Sequence, residues 1–155
     1  MAKSASQPSG VMRPEEPERV EVYIDGASRG NPGPAGVGAV FFNERLETLR
    51  ELSQPLGETT NNVAEYLALV YACLEALHAG YRRLSVKTDS ELLARQINGQ
   101  YKVRDARLKL FHELALYLRR TLIDYQIEHV PRERNVRADQ LASRAAQSVS
   151  VAPAP

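Results

Sequence analysis

The sequence predicts an α/β fold: a mixed five-stranded sheet flanked by helices, in the order βββαβααβα. Three observations predict it. Three strand-like runs follow one another near the start of the chain, joined by short connections. Residues 61–80, "NNVAEYLALVYACLEALHAG", then carry a helical repeat of apolar side chains. From there to residue 149, strands and helices succeed one another with Gly, Pro and Asp at the junctions.

Taken in order, "RVEVYIDG" (19–26) alternates around Val20, Val22 and Ile24 and reads as the first strand. "GVGAVFFN" (36–43) and "LETLRELSQPL" (46–56) read as the second and third. Their short connections favour an antiparallel meander. In the long helix, Val63, Leu67, Val70, Leu74 and Leu77 recur at steps of four and three. Asn62 is its expected N-cap, and Gly80 its expected stop. "RLSVKTD" (83–89) is a fourth strand, "SELLARQING" (90–99) a short helix and "RDARLKLFHELALYLRRT" (104–121) a longer one. "DYQIEHVP" (124–131) is the fifth strand, and "NVRADQLASRAAQSV" (135–149) the last helix. A strand, crossover helix and strand make the first and fourth strands parallel neighbours, with the fifth extending the sheet. One domain is expected over residues 19–148. Residues 1–18, polar with three prolines, read as a disordered tail, and residues 149–155 as a second tail.

Bulk properties exclude several classes. The 155 residues suit one domain with a real core. No apolar run approaches the ~18 residues of a membrane span, and the N-terminus lacks the apolar core of a secretory signal. The single cysteine, Cys73, rules out an intrachain disulfide framework and fits a reducing cytoplasm. Cys73 lies in an apolar helical pattern and reads as a buried small hydrophobe. A net charge of +1 is not the footprint of a strongly basic nucleic-acid binder. Between residues 101 and 137, however, nine Lys or Arg stand against five acids. That bias fits either a solvated helix face or a contact with polyanions.

Chemistry enters with the acids. In open α/β sheets, ligands gather beyond the carboxyl ends of the central parallel strands. Asp25 ends the first strand and Asp89 the fourth, so the topology brings them together. Glu65, in the first turn of the long helix, and Asp139, in the first turns of the last, can join them. Four carboxylates on one edge repel each other unless a divalent cation neutralises them, and oxygen-only ligands favour Mg²⁺ or Mn²⁺ over zinc. Each acid has an ordinary reading as well: Asp25 as a turn residue, Glu65 as part of a capping box with Asn62, Asp89 as a helix cap, Asp139 as a solvated helix acid.

The stretches "YIDGASRGNPGPAGVGAV", "TTNNVAEYLAL", "VKTDSELL" and "NVRADQLA" resemble type 1 ribonuclease H, in that family's order and across residues 20–146. The resemblance implies the ribonuclease H-like fold and endonucleolytic hydrolysis of the RNA strand of an RNA–DNA hybrid. It implies a catalytic and metal-binding quartet, Asp25, Glu65, Asp89 and Asp139, that holds two Mg²⁺ ions when substrate is bound, with Mn²⁺ as a substitute. One ion would activate water and the other would stabilise the leaving 3′ oxygen, giving 3′-hydroxyl and 5′-phosphate ends. Asp25 would bridge, Glu65 and Asp89 would complete one site, and Asp139 would hold the second with Asp25. Gly26 and Ser28 near Asp25 would approach the RNA 2′-hydroxyl. Asn31, Thr60 and Asn61 would contact the DNA strand, including one phosphate, and Asn62 and Ser90 the RNA or the minor groove of the hybrid. Asn31, Asn61 and Asn62 also have ordinary readings in turns and caps. A cytoplasmic monomer without membrane contact is implied.

Two departures from the family pattern stand out. Many members carry a His in a flexible loop before the last acid. Here "IEHVPRERNVRAD" is short, and His129 falls in the strand pattern. Arg132, beyond that strand, is the better candidate for a group near the scissile phosphate, or else an ion-pair partner of Glu133 or Glu128. His78 and His112 lie on helices and read as structural. The basic helix and loop that some members insert is absent, since "NGQYKVRDARLKL" leads straight to the next helix. Lys102, Arg104, Arg107 and Lys109 could substitute in part. The competing functional readings are a catalytically silent hybrid-binding module, and a nuclease of the same fold acting on another nucleic acid such as double-stranded RNA.

Overall fold

The computed structural model describes residues 18–150. Five strands form one sheet: β1 (Arg19–Ser28), β2 (Gly33–Phe42), β3 (Thr48–Thr59), β4 (Arg83–Thr88) and β5 (Asp124–His129). Four helices accompany it: α1 (Asn61–Ala79), α2 (Glu91–Ile97), α3 (Ala106–Thr121) and α4 (Val136–Gln147), with a single 3-10 turn at Arg132–Arg134 before the last. The strand order is β3-β2-β1-β4-β5. β1 runs antiparallel to β2 and parallel to β4, and β5 is parallel to β4. The handed crossover through α1 therefore makes β1 and β4 neighbours, as the element order requires.

Alternation along the central strands sorts two layers. Val22 and Ile24 of β1 and Val37, Ala39 and Phe41 of β2 share a core with Leu69, Val70 and Cys73 of α1. The intervening β2 positions, Gly36 and Gly38, face α4. A Cβ on Gly38 would stand 2.3 Å from the Ala138 carbonyl oxygen, so only glycine lets α4 settle this closely on the sheet. α3 packs against α1, and α2 against β5.

The helix boundaries correct two expectations. Thr60, not Asn62, caps α1: its backbone is extended and its Oγ1 accepts from Val63 N at 3.3 Å. The helix begins early enough to place both Asn61 and Asn62 in its exposed first turn. Ser90, not Asp89, caps α2, with Oγ accepting from Leu93 N at 3.2 Å. Gly80 ends α1 in the left-handed region at φ 85°, as expected. β1 continues past Asp25 to Ser28, and β3 runs on through Gly57 to Thr59.

At the sheet margin, β5 is finished by side chains. Arg119 Nε donates to the Tyr125 carbonyl at 3.0 Å, and Asn98 Nδ2 to the Ile127 carbonyl at 3.1 Å. The expected tails lie outside the described residues, apart from Glu18, Val149 and Ser150. Among the described residues no helix is long and apolar enough to cross a membrane.

Candidate active site

Asp25 sits inside β1, opposite Gly38 of β2. Its neighbour Ile24 pairs with Thr88, the last residue of β4, so Asp89 leaves the sheet beside it. The start of α1 lies across β1 at Gly26. A Cβ there would fall 2.3 Å from the Ala64 carbonyl group, and the Gly26 N–H donates to Glu65 Oε1 at 2.9 Å. Glycine at this position thus both admits the helix and anchors the carboxylate it carries.

These placements bring ligand oxygens of Asp25, Glu65 and Asp89 within 4.8 Å of one another. Asp25 is 4% and Glu65 7% exposed. Asp139, exposed in the first turn of α4, comes within hydrogen-bonding reach of Asp25. All four acids therefore meet on one sheet edge. The ordinary readings of three of them fail here: Asp25 is in a strand, Glu65 bonds β1 rather than capping its own helix, and Ser90 does the capping beside Asp89.

Electrostatics follow from this crowding. Burial pushes the Asp25 carboxyl far above the usual range, and the charges of Glu65 and Asp89 push it further. Burial also raises Glu65, with Asp89 adding to it, while the Gly26 N–H and the Arg132 guanidinium pull the other way. Arg132 is the facing cation: its Nε is 4.0 Å from Asp89 Oδ2, and its side chain is 87% exposed. Such a cluster fits a hard divalent cation. Its donors are all oxygen, and its buried members lack the positive charge they need to ionise.

The other sequence candidates divide into two groups. Gly26, Ser28 and Ser90 adjoin the carboxylate edge along β1 and at the start of α2. Asn31, Thr60, Asn61 and Asn62 gather a little further out. Asn31 Oδ1 accepts from Asn61 N at 2.9 Å, and Asn31, Thr60 and Asn62 line a cleft of about 510 Å³ with Arg107 and the first turn of α3. His129 ends β5 in register with Thr88, as its strand pattern predicts. His112 bonds the Gln96 carbonyl at 3.2 Å and meets the Tyr66 ring edge-on, which is a structural role. Sequence reasoning passed over one buried residue at the site, Asn135, which joins the 3-10 turn to α4. Its one visible signal is its place four residues before Asp139.

The order and pairing of the strands, with acids converging at the β1/β4 edge, define a ribonuclease H-like α/β protein. The family model described as reverse transcriptase-like matches residues 23–145. The ribonuclease HI of Halobacterium salinarum is 39% identical over 137 residues, covering 88% of this chain and 69% of that protein. The crystal structure of ribonuclease H1 from that archaeon superposes with a TM-score of 0.82 at 40% identity, over 84% of this chain and 99% of that one. The crystal structure of LC11-RNase H1 in complex with RNA/DNA hybrid gives a TM-score of 0.79 at 41% identity, over 83% and 96% of the two chains. A bifunctional protein of Mycobacterium tuberculosis is 41% identical over 128 residues, covering 82% of this chain but only 35% of that protein. The chain belongs to the type 1 ribonuclease H family and is a hydrolase of that class.

Proposed function

We propose that this chain is an endoribonuclease that hydrolyses the RNA strand of RNA–DNA hybrids, leaving 3′-hydroxyl and 5′-phosphate ends. The observation that carries the reading is the meeting of Asp25, Glu65 and Asp89 within 4.8 Å, with Asp139 against Asp25. Asp25, fixed by a central strand between the other acids, would hold the cations together with Glu65, Asp89 and Asp139. Glu65 and Asp89 would complete one cation site, and Asp139 would serve a second. Two divalent ions, Mg²⁺ with Mn²⁺ as substitute, would supply activation of water and charge stabilisation for the departing 3′ oxygen.

The protein's own part is positioning. Gly26, whose side-chain space is taken by α1, offers backbone alone to the RNA strand, and Ser28 and Ser90 flank the same edge, where a 2′-hydroxyl distinguishes RNA from DNA. The cleft of Asn31, Thr60 and Asn62, with Asn61 beside it, receives the DNA strand and one of its phosphates. Arg132, extended over Asp89, reaches toward the scissile phosphate and balances charge as product leaves. The enzyme acts as a cytoplasmic monomer, a location in keeping with a single, buried, reduced Cys73. The test is cleavage of a labelled hybrid in Mg²⁺ and, separately, Mn²⁺, beside duplex DNA, double-stranded RNA and the Asp25→Asn protein. Metal-dependent cutting of the hybrid's RNA strand, lost in the variant, is the expected result. Inactivity of folded wild-type protein in both metals would overturn it.

A further inference from the structure

Asn135 is 1% exposed, at the junction where the 3-10 turn becomes α4. One side-chain bond joins it to a part of the site remote in sequence, and two backbone bonds join it to its own turn and helix. Its side-chain Nδ2 donates to the Ile24 carbonyl at 2.8 Å, across 111 residues, and Ile24 immediately precedes Asp25. Its backbone carbonyl accepts from Asp139 N at 3.1 Å, and its backbone N–H donates to the Arg132 carbonyl at 2.9 Å. Its Oδ1 is buried with no hydrogen-bond partner. The side-chain donor is what an apolar residue of the same size would lack: it satisfies the Ile24 carbonyl beside Asp25.

We infer that Asn135 is a positioning residue that fixes Asp139 against Asp25 and so sets the geometry of the second cation site. The inference rests on the proposed metal-dependent reading of that site. The physical case is one of reach. Asp139 is exposed at the end of a helix, and Asp25 is buried in a strand. α4 packs mainly on β2, β1 and β3, closely enough at Gly36 and Gly38 to exclude a Cβ, and is held to β3 by Ser53 Oγ donating to the Leu141 carbonyl and by Arg137 pairing with Glu51. Those two links face β3, whereas the Asn135 amide ties the start of the helix to the β1 backbone at Ile24, next to Asp25 in sequence. Cutting it leaves those contacts intact and removes the bond that holds the start of the helix to the β1 backbone. The residue acts through Asp139 and touches neither substrate nor ions.

The test uses the full chain and Mn²⁺ alone as probe, with binding followed by isothermal titration calorimetry. Asn135→Ala is expected to weaken Mn²⁺ binding and lower kcat by about 10–100-fold, the usual cost of removing a group that orients ligands, with KM for the hybrid changed less than about threefold. In an Asp139→Ala background the same change is expected to leave Mn²⁺ binding where Asp139→Ala alone puts it. Asn135→Leu keeps the volume and removes the donor, and the same losses are expected of it; it decides the matter should the alanine variant not fold. Wild-type kcat and Mn²⁺ affinity in either folded variant would overturn the inference. So would equal losses with and without Asp139, or failure of both variants to fold, which would make Asn135 a general stability residue. Wild-type protein that binds Mn²⁺ keeps the metal reading intact whatever the variants do; wild-type protein that binds none removes both.

Discussion

Asp25 and Glu65 retain protons in the metal-free fold at pH values where the unfolded chain has released them, since their ordinary values are 3.8 and 4.5 and both are raised. The folded state then binds more protons than the unfolded one, and stability falls as pH rises from about 4.5 through neutrality. Thermal melts in EDTA across that range are expected to show a declining Tm, flatter for Asp25→Asn, with Mg²⁺ restoring the wild-type protein at the alkaline end. The same variant is expected to lose more than about a hundredfold in cleavage while remaining folded, because a ligand rather than its support is gone. Arg132→Ala is expected to reduce kcat more than His129→Ala; the reverse order would assign the loop's function to the end of β5. At this scale the acids were legible because chemistry restricts which residues can gather on one edge. Asn135 was not, because an asparagine at a helix start has an ordinary capping role, and its bond to Ile24 spans the whole domain.

Elements show where local rules suffice and where packing decides. The repeat of Val63, Leu67, Val70, Leu74 and Leu77 announces α1, and Gly80 its end, both from side-chain geometry alone. Its start was misplaced by two residues because Thr60, Asn61 and Asn62 are all competent caps. What selects Thr60 is the extended conformation in which the chain leaves β3. The third strand's continuation through Gly57 and Glu58 was hidden by Pro55 and Gly57, poor strand formers that an edge position tolerates. The packing of α1 on β1 gives a sharper test. Gly26→Ala would drive a methyl into the Ala64–Glu65 backbone, and such overpacking costs about 1–3 kcal/mol. Urea unfolding is expected to show that loss, and cleavage is expected to fall with it as Glu65 is lifted from Asp25.

On the scale of the whole molecule, a net charge of +1 conceals the basic bias of residues 101–137. Lys102 and Lys109 line a cleft of about 540 Å³ between the end of α2 and α3, where the chain passes directly from one helix to the next. If they steer the hybrid, replacing both by Gln raises KM, leaves kcat within about twofold and reduces the slope of log KM against log salt by about one per lysine. Wild-type salt dependence in the double variant would mark them as a solvated face. The sheet's two margins bear on assembly as well. A protein whose outer strand is open on both sides can add copies of itself indefinitely, as a monomer with two reactive ends polymerises. Here Arg119 and Asn98 occupy the Tyr125 and Ile127 carbonyls of β5, and Gln54 Nε2 occupies the Pro55 carbonyl of β3 at 3.0 Å, so both margins carry side-chain caps. Each cap withdraws an acceptor that the strand of a second copy would need, so both margins oppose growth of the sheet by strand addition.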